Sequence, residues 1–225
     1  MNLKELLGKE IAKRLINNSV VGVGTGSTVE CAIREIAKRV KEENLKINVV
    51  STSISTTRLC ESLGLTVLSD TVPKEIDFSF DGADAVDSKK RAIKGKGGAM
   101  LREKILASAT KNYVIIADES KYAENIASKA LVPIEVNPLA IRSVERILTS
   151  NFNIKSLSLR MAEKKFGEII TEFGNVIFDA EFENINSDTE KELNNIPGVI
   201  ENGIFTHFAS EILISKNSGK IVSIK

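Results

Sequence analysis

The sequence contains few of the residues from which metal sites and disulfide frameworks are built. Its 225 residues include two cysteines, Cys31 and Cys60, and one histidine, His207. The cysteines form no CxxC pair and the histidine lies far from both along the chain, so these residues predict no zinc site. We interpret the two cysteines as free thiols of a reducing compartment.

An excess of one charge and long hydrophobic runs are also missing. The 31 basic and 30 acidic side chains leave a formal net charge of +1, which excludes a general attraction to nucleic acid or to anionic lipid. No uncharged apolar stretch approaches the roughly 18 residues of a membrane-spanning helix, and the N-terminal segment has the pattern of an amphipathic helix instead of a signal peptide. We therefore expect a cytoplasmic protein with no nucleic-acid and no membrane partner.

Short apolar runs alternate with helical patterns through the first half of the chain. Strand-like runs at 19–23, 46–50, 76–80 and 113–117 are separated by glycine-containing loops and helices. This alternation predicts βα units around a mostly parallel sheet. From about residue 131 the pattern changes and predicts a second, smaller α+β domain. One of the strands expected there covers residues 168–172. The last two apolar runs, 211–215 and 220–224, are expected to pair and to return to the first domain.

The loop at residues 24–28, which we call the GTGST loop, follows a strand and begins a helix. Backbone N–H groups at such a position can bind phosphate. The loop lacks the Gly-Lys-Ser/Thr of a P-loop, and Ser27 stands where the dinucleotide fingerprint requires its third glycine. The pattern favours a monophosphate over NAD, although a tight strand-to-helix turn explains the glycines equally well.

Two aspartates, Asp81 and Asp84, follow the third strand-like run. A metal site, a helix cap or Asx-turn, and an acid–base role are all open interpretations, but Val86 and Ala92 stand where a calcium loop needs glycine and glutamate. The cationic loop at residues 94–98, which we call the lysine–glycine loop, leads into a helix that carries Glu103. Because no histidine precedes position 207, a carboxylate is the simplest general base for this region.

Seven segments occur in an order and spacing that resemble ribose-5-phosphate isomerase of the A type, over nearly the whole chain. They are VGVGTGST, STSISTTRLCESLG, DGAD, KGKGGAMLREK, ADESK, TEFGNVIFD and PGVIENGIF. The resemblance implies a Rossmann-like domain of residues 1–129 plus 204–225 with an inserted α+β domain of residues 130–203, assembled as a homodimer or homotetramer. It also implies interconversion of the sugar phosphates D-ribose 5-phosphate and D-ribulose 5-phosphate through an enediolate, in the non-oxidative pentose phosphate pathway, without a metal or other cofactor.

The resemblance further assigns residues to the site. Glu103 matches the proton acceptor, and Lys94 is our candidate for stabilising the enediolate oxygen. Asp81 and Asp84 would accept hydrogen bonds from the sugar hydroxyls, and the sequence does not divide this role between them. The implied substrate-binding positions are Thr25, Gly26, Ser27, Thr28, Asp81, Gly82, Ala83, Asp84, Lys94, Gly95, Lys96, Gly97 and Lys121. The phosphate would bind either to the GTGST loop or to the serines after the second strand together with Lys94, Lys121 or Arg102. Lys96 and Ala85 depart from the family's usual pattern, which affects local charge but not the proposed base.

Three alternative functions fit the sequence less well than this interpretation. An amino-sugar phosphate deaminase or a phosphogluconolactonase usually depends on a histidine near its site, and this chain has only His207. A non-catalytic sugar-phosphate sensor would not need Glu103. An NAD-dependent dehydrogenase is disfavoured by the incomplete glycine fingerprint.

Overall fold

The computed structural model describes residues 2–68 and 71–225. By its internal contacts the chain divides into two compact units. The first unit comprises Met1–Ala83, Arg102–Tyr122 and Phe208–Lys225, and the second comprises Asp84–Leu101 and Ala123–His207. This division places residues 84–101 in the second unit, whereas the boundaries predicted from the sequence leave them in the larger domain. Those boundaries stay a prediction.

Helices and strands are numbered in chain order. The helices are α1 (Leu3–Ala12), α2 (Ser27–Glu43), α3 (Ile54–Ser62), α4 (Met100–Ser108), α5 (Ile141–Asn151) and α6 (Thr189–Asn194). The strands are β1 (Ser19–Val23), β2 (Ile47–Ser51), β3 (Thr66–Val67), β4 (Phe78–Gly82), β5 (Ala85–Val86), β6 (Ala92–Ile93), β7 (Tyr113–Asp118), β8 (Val132–Val136), β9 (Ile154–Leu159), β10 (Val176–Phe182), β11 (Val199–Asn202), β12 (Ile204–Phe205), β13 (Glu211–Ser215) and β14 (Ile221–Ile224). Within the described residues, no helix has both the length and the apolar character needed to cross a membrane.

The first unit is built on a seven-stranded sheet of order β14-β13-β7-β4-β1-β2-β3. All neighbours are parallel except β13 and β14, which form the predicted C-terminal pair, and β13 joins β7. The expected mostly parallel α/β architecture is therefore confirmed. Chain order reverses at β1, with β2 and β3 on one side and β4 and β7 on the other, so the carboxyl ends of β1 and β4 form a topological switch point.

The two faces of this sheet have different chemistry because side chains alternate along each strand. Apolar residues of β1, β4 and β7, among them Val21, Phe80 and Ile116, join α1 and α2 in the main core. The opposite face is more polar and lies against α4: a Cβ added to Gly22 would meet Ser79 and Leu106. Asp81 follows Ser79 by two positions on β4 and so points to the same face.

The second unit has a four-stranded antiparallel sheet of order β11-β8-β10-β9 and a three-stranded sheet of order β12-β6-β5. Buried Val144 and Leu148 of α5 and Leu193 of α6 complete its core. This is the predicted α+β organisation. The small sheet explains why residues 84–101 belong here, since β6 pairs with β12 through Ile93 and Ile204.

The strand predicted at residues 168–172 is wrong. Its one ladder contact is an isolated bridge between Met161 and Glu168. Thr171 instead forms a turn: its Oγ1 accepts from the backbone N–H groups of Phe173 and Asn175 and donates to the buried carboxylate of Glu135. A side chain that bonds the nearby backbone competes with strand pairing, and the sequence pattern did not show this.

Candidate active site

The GTGST loop leaves β1 at the switch point. The N–H of Gly24 donates to Phe80 O at 3.0 Å, and a Cβ at this position would overlap the carboxylate of Asp81. Gly26 has φ +131°, a backbone conformation that side chains disfavour, and α2 begins at the next residue without a side-chain cap. Glycine is thus required at both positions, and the N–H groups at the start of α2 are available for an anion.

A cluster of hydroxyls joins this loop to the loop after β2. Thr25 Oγ1 lies 2.8 Å from Thr52 Oγ1 and donates to Ser53 Oγ at 2.9 Å, and Thr56 Oγ1 donates to Gly24 O at 3.0 Å. The serine-rich and glycine-rich segments of the sequence therefore lie together. Arg102 also reaches this edge of the sheet, where its Nη2 is 3.4 Å from Ser51 O.

Lys4 adds a cation that the sequence analysis missed. Its Nζ donates to Ser27 Oγ at 2.7 Å, from the first turn of α1 to the first residue of α2. In the sequence Lys4 is one of several charged residues on the polar side of an amphipathic helix, so no local signal distinguishes it.

Asp81 is the residue before the last of β4 and is fully buried. Its Oδ1 accepts from the N–H of Thr25 at 3.2 Å and from the N–H of Gly82 at 2.7 Å. These bonds are neither an Asx-turn nor a helix cap, since one goes to the next residue and the other to a distant loop. They tie the carboxylate to the GTGST loop.

Glu103 lies in the first turn of α4 and is 4% exposed. Buried Tyr113, the first residue of β7, lies beside both Glu103 and Asp81. Burial, followed by the charges of Asp81 and Glu103, raises the pKa of the Tyr113 phenol well above its usual value. Two carboxylates far apart in the sequence are thus brought to one phenol, a residue that the sequence analysis did not select.

Lys121 lies in the short 3-10 turn Glu119–Lys121, directly after β7. Asp118 begins this turn, since its Oδ1 accepts from the N–H of Ser120 at 2.9 Å. Because β7 is parallel to β4, the turn leaves the same edge of the sheet as Asp81. Lys121 thus lies just after the carboxyl edge of the sheet, where the GTGST loop also begins.

The second unit holds Asp84 and the lysine–glycine loop. Lys94 is 2% exposed, and its Nζ lies 5.5 Å from the centroid of the Phe205 ring. Asp84 Oδ2 accepts from the N–H of Lys96 at 3.1 Å. The loop turns at Gly95, with φ +91°, and at Gly98, with φ +78°. Lys96 and Gly97 are exposed at its tip.

No group of three or more His, Cys, Asp or Glu side chains in residues 2–68 and 71–225 is arranged to hold a metal ion. His207 is exposed after β12. A parallel sheet with a phosphate-type loop at its switch point and buried carboxylates at the same edge defines an α/β enzyme of the acid–base type.

Comparison with known proteins agrees with this class and identifies the family. The family model described as ribose 5-phosphate isomerase A (phosphoriboisomerase A) matches residues 48–219. The chain belongs to this family. It is 38% identical over 218 residues to ribose-5-phosphate isomerase A of Gloeothece citriformis, covering 95% of this chain and 91% of that one.

Two solved structures are similar over the whole chain. Ribose 5-phosphate isomerase A from Methanocaldococcus jannaschii superposes with a TM-score of 0.93 at 35% identity, covering 99% of this chain and 98% of that one. A D-ribose-5-phosphate isomerase in complex with phospho-erythronic acid superposes with a TM-score of 0.95 at 35% identity, covering 100% of both chains.

Proposed function

We propose that this chain interconverts D-ribose 5-phosphate and D-ribulose 5-phosphate by moving a proton between C1 and C2 through an enediolate. The observation that carries the proposal is the pair of buried carboxylates, Asp81 and Glu103, beside one phenol and next to the GTGST loop. Membership of the isomerase family supports the substrate, and a relative with phospho-erythronic acid bound supports a site for a short phosphorylated acid.

Glu103 is the proposed carbon base. Proton transfer by a positioned carboxylate contributes about 10²–10⁴ in rate. Its place in the first turn of a helix fixes its backbone, and its burial keeps it out of bulk water. Both properties suit a base that acts on one hydrogen of a bound sugar.

The remaining charged residues are assigned to the oxygens of the sugar. Lys94 would stabilise the enediolate oxygen, a role worth about 3–4 kcal/mol for one well-placed donor. Asp81 and Asp84 would accept from hydroxyls and move the oxygen-bound proton. The assignment of Lys94 and Asp84 rests on the family motifs, and the ring contact of Lys94 with Phe205 supports a fixed position for its charge.

The phosphate is assigned to the GTGST loop. The uncapped start of α2 offers backbone N–H groups, and Lys4 adds a positive charge at Ser27. Lys121, Gly82 and Ala83 stay in the proposed substrate contacts. The second candidate for the phosphate, the segment after β2, is less suited because Ser53 already bonds Thr25 and Thr56, and Thr52 already bonds Thr25.

A cytoplasmic location and a homodimeric or homotetrameric assembly are part of the same proposal. Both cysteines are free thiols, which suits a reducing compartment. Burial raises the pKa of Cys60 to about 12, so this thiol is unreactive. Exposed apolar side chains such as Leu139 and Phe166 are available to contact further copies of the chain.

Glu103→Gln tests the proposal. We expect the ketose produced from ribose 5-phosphate to fall by about 10²–10⁴ in rate, while calorimetry shows binding of ribose 5-phosphate close to that of the unchanged protein. Glu145→Gln, an exposed glutamate on α5, is the matched control and keeps its rate. Nearly full turnover by the Glu103→Gln protein would show that Glu103 is not the base.

A further inference from the structure

Arg160 and Asp179 form a partly buried ion pair in the second unit that no step above uses. Arg160 follows β9 and Asp179 lies on the neighbouring strand β10. Arg160 Nε donates to Asp179 Oδ2 at 2.8 Å and Nη2 donates to Oδ1, and the two side chains are 16% and 17% exposed. This bidentate geometry fixes the plane of the guanidinium.

The third nitrogen of the same guanidinium reaches the lysine–glycine loop. Arg160 Nη1 donates to Gly95 O at 3.1 Å and to Lys96 O at 2.9 Å. A loop that turns at Gly95 and Gly98 has many accessible backbone conformations, so two hydrogen bonds from a fixed guanidinium reduce them strongly. Arg160 and Asp179 thus connect the sheet of the second unit to this loop.

These bonds also decide which way the loop's amides point. In a trans peptide the C=O of one residue and the N–H of the next point in opposite directions. The peptide between Gly95 and Lys96 is held on both sides, by Arg160 at its C=O and by Asp84 at its N–H. In the next peptide the C=O of Lys96 is held by Arg160, so the N–H of Gly97 points away from the guanidinium.

Gly97 is exposed, and a Cβ added there would meet nothing within 4 Å. Across residues 2–68 and 71–225 its N–H has no hydrogen-bond acceptor. We propose that Arg160 and Asp179 are positioning residues for substrate binding, which hold the lysine–glycine loop so that the Gly97 N–H donates to an oxygen of the sugar phosphate. This inference rests on the proposed function, because it takes the sugar phosphate as the acceptor.

Arg160→Lys and Asp179→Asn test the inference. Lysine keeps the charge but cannot bond a carboxylate and two carbonyls in one plane. For each variant we expect KM for ribose 5-phosphate to rise about tenfold, the effect of losing one positioned hydrogen bond, with kcat within about threefold of the unchanged enzyme. Amide hydrogen exchange at residues 95–98 should be faster in both variants.

Arg91 and Asp87 supply a matched control in the same unit. Arg91 Nε donates to Asp87 Oδ2 at 2.7 Å, the side chains are 17% and 1% exposed, and Arg91 Nη1 donates to Ile185 O at 2.7 Å. Arg91→Lys thus removes a similar ion pair and carbonyl contact without touching the lysine–glycine loop. It should lower Tm comparably while leaving KM and the exchange of residues 95–98 unchanged.

The possible outcomes separate this inference from the proposed function. Unchanged exchange at residues 95–98 in Arg160→Lys and Asp179→Asn, an unchanged KM, or an equal rise of KM in Arg91→Lys would each overturn the positioning role. A different result is possible, in which exchange at these residues is faster in the two variants but the unchanged protein does not isomerise ribose 5-phosphate. That result would support the loop contact and show that the proposed function is wrong.

Discussion

Tyr113 places a neutral phenol between two carboxylates in the first unit. Burial and the charges of Asp81 and Glu103 oppose its ionisation, because a phenolate there would be poorly solvated and would repel both. A tyrosine in a strand next to an aspartate-rich segment has no distinguishing sequence signal. Lys4 and Arg160 were missed because their partners are distant in the sequence: Ser27 is 23 positions from Lys4, and Asp179 and Gly95 are 19 and 65 positions from Arg160.

The raised pKa of Tyr113 predicts a loss of stability in alkali. The folded-state pKa lies above the unfolded value of about 10, so the stability contributed by the neutral phenol is full below about pH 10 and is lost as pH rises above it. In Tyr122→Phe, Tyr113 is the remaining tyrosine of two, and its ultraviolet absorbance reports its ionisation directly. We expect ionisation to coincide with unfolding seen by circular dichroism. An ionisation near pH 10 in a protein that stays folded would contradict this environment.

Element by element, alternating patterns located most of the strands and helices but not the short ones. β1 and β7 begin at the residues expected from their apolar runs, and the C-terminal pair is where the pattern placed it. The two-residue strands β5, β6 and β12 are too short to produce a period. Strand β8 contains Pro133, a residue that usually interrupts a sheet because it has no backbone N–H to donate. Its carbonyl oxygen still accepts from the N–H of Gly203, so one of its bonds to the neighbouring chain is kept.

The contact of Arg14, two residues after α1, with Glu211 of β13 predicts an acid-sensitive contribution to stability. Arg14 Nη1 donates to Glu211 Oε2 at 2.6 Å, and this bond is the main reason that the pKa of Glu211 is lowered, with Ser223 Oγ adding a second. The contribution is therefore full above the unfolded pKa of about 4.3 and is lost as pH falls below it.

Glu211→Gln measures this contribution. We expect urea unfolding at neutral pH to show a loss of about 1–2 kcal/mol, and the difference from the unchanged protein should shrink in acid. Glu43→Gln, which breaks an exposed pair with Arg39 within α2, should cost less. An equal cost for the two variants would mean that the contact between Arg14 and β13 contributes no more to stability than an exposed ion pair.

At the scale of the whole molecule, the family and the type of chemistry followed from the order of seven short segments, while the arrangement of the site did not. Asp81 and Glu103 are 22 positions apart in the sequence; the pairing of β4 with β7 brings Asp81 to Tyr113, and Glu103 approaches the same phenol from α4. The sequence pattern left the phosphate site open between two loops. Lys4, which a local pattern could not select, favours the GTGST loop.

Chelation provides a test at this scale. We expect ribose 5-phosphate isomerisation by the purified protein to be unchanged after treatment with EDTA, because the proposed chemistry assigns the proton transfer to Glu103 and the charge stabilisation to Lys94. A rate that falls with EDTA and returns with a divalent cation would require Asp81 and Asp84 to be reinterpreted as metal ligands.

The contrast between Gly24 and Gly97 has a practical consequence for engineering. Any side chain at position 24 would collide with Asp81, whereas one at position 97 would extend into open space without a strained backbone. A library designed to change sugar preference should therefore keep Gly24 constant and diversify position 97, where new groups can be added without repacking the interior.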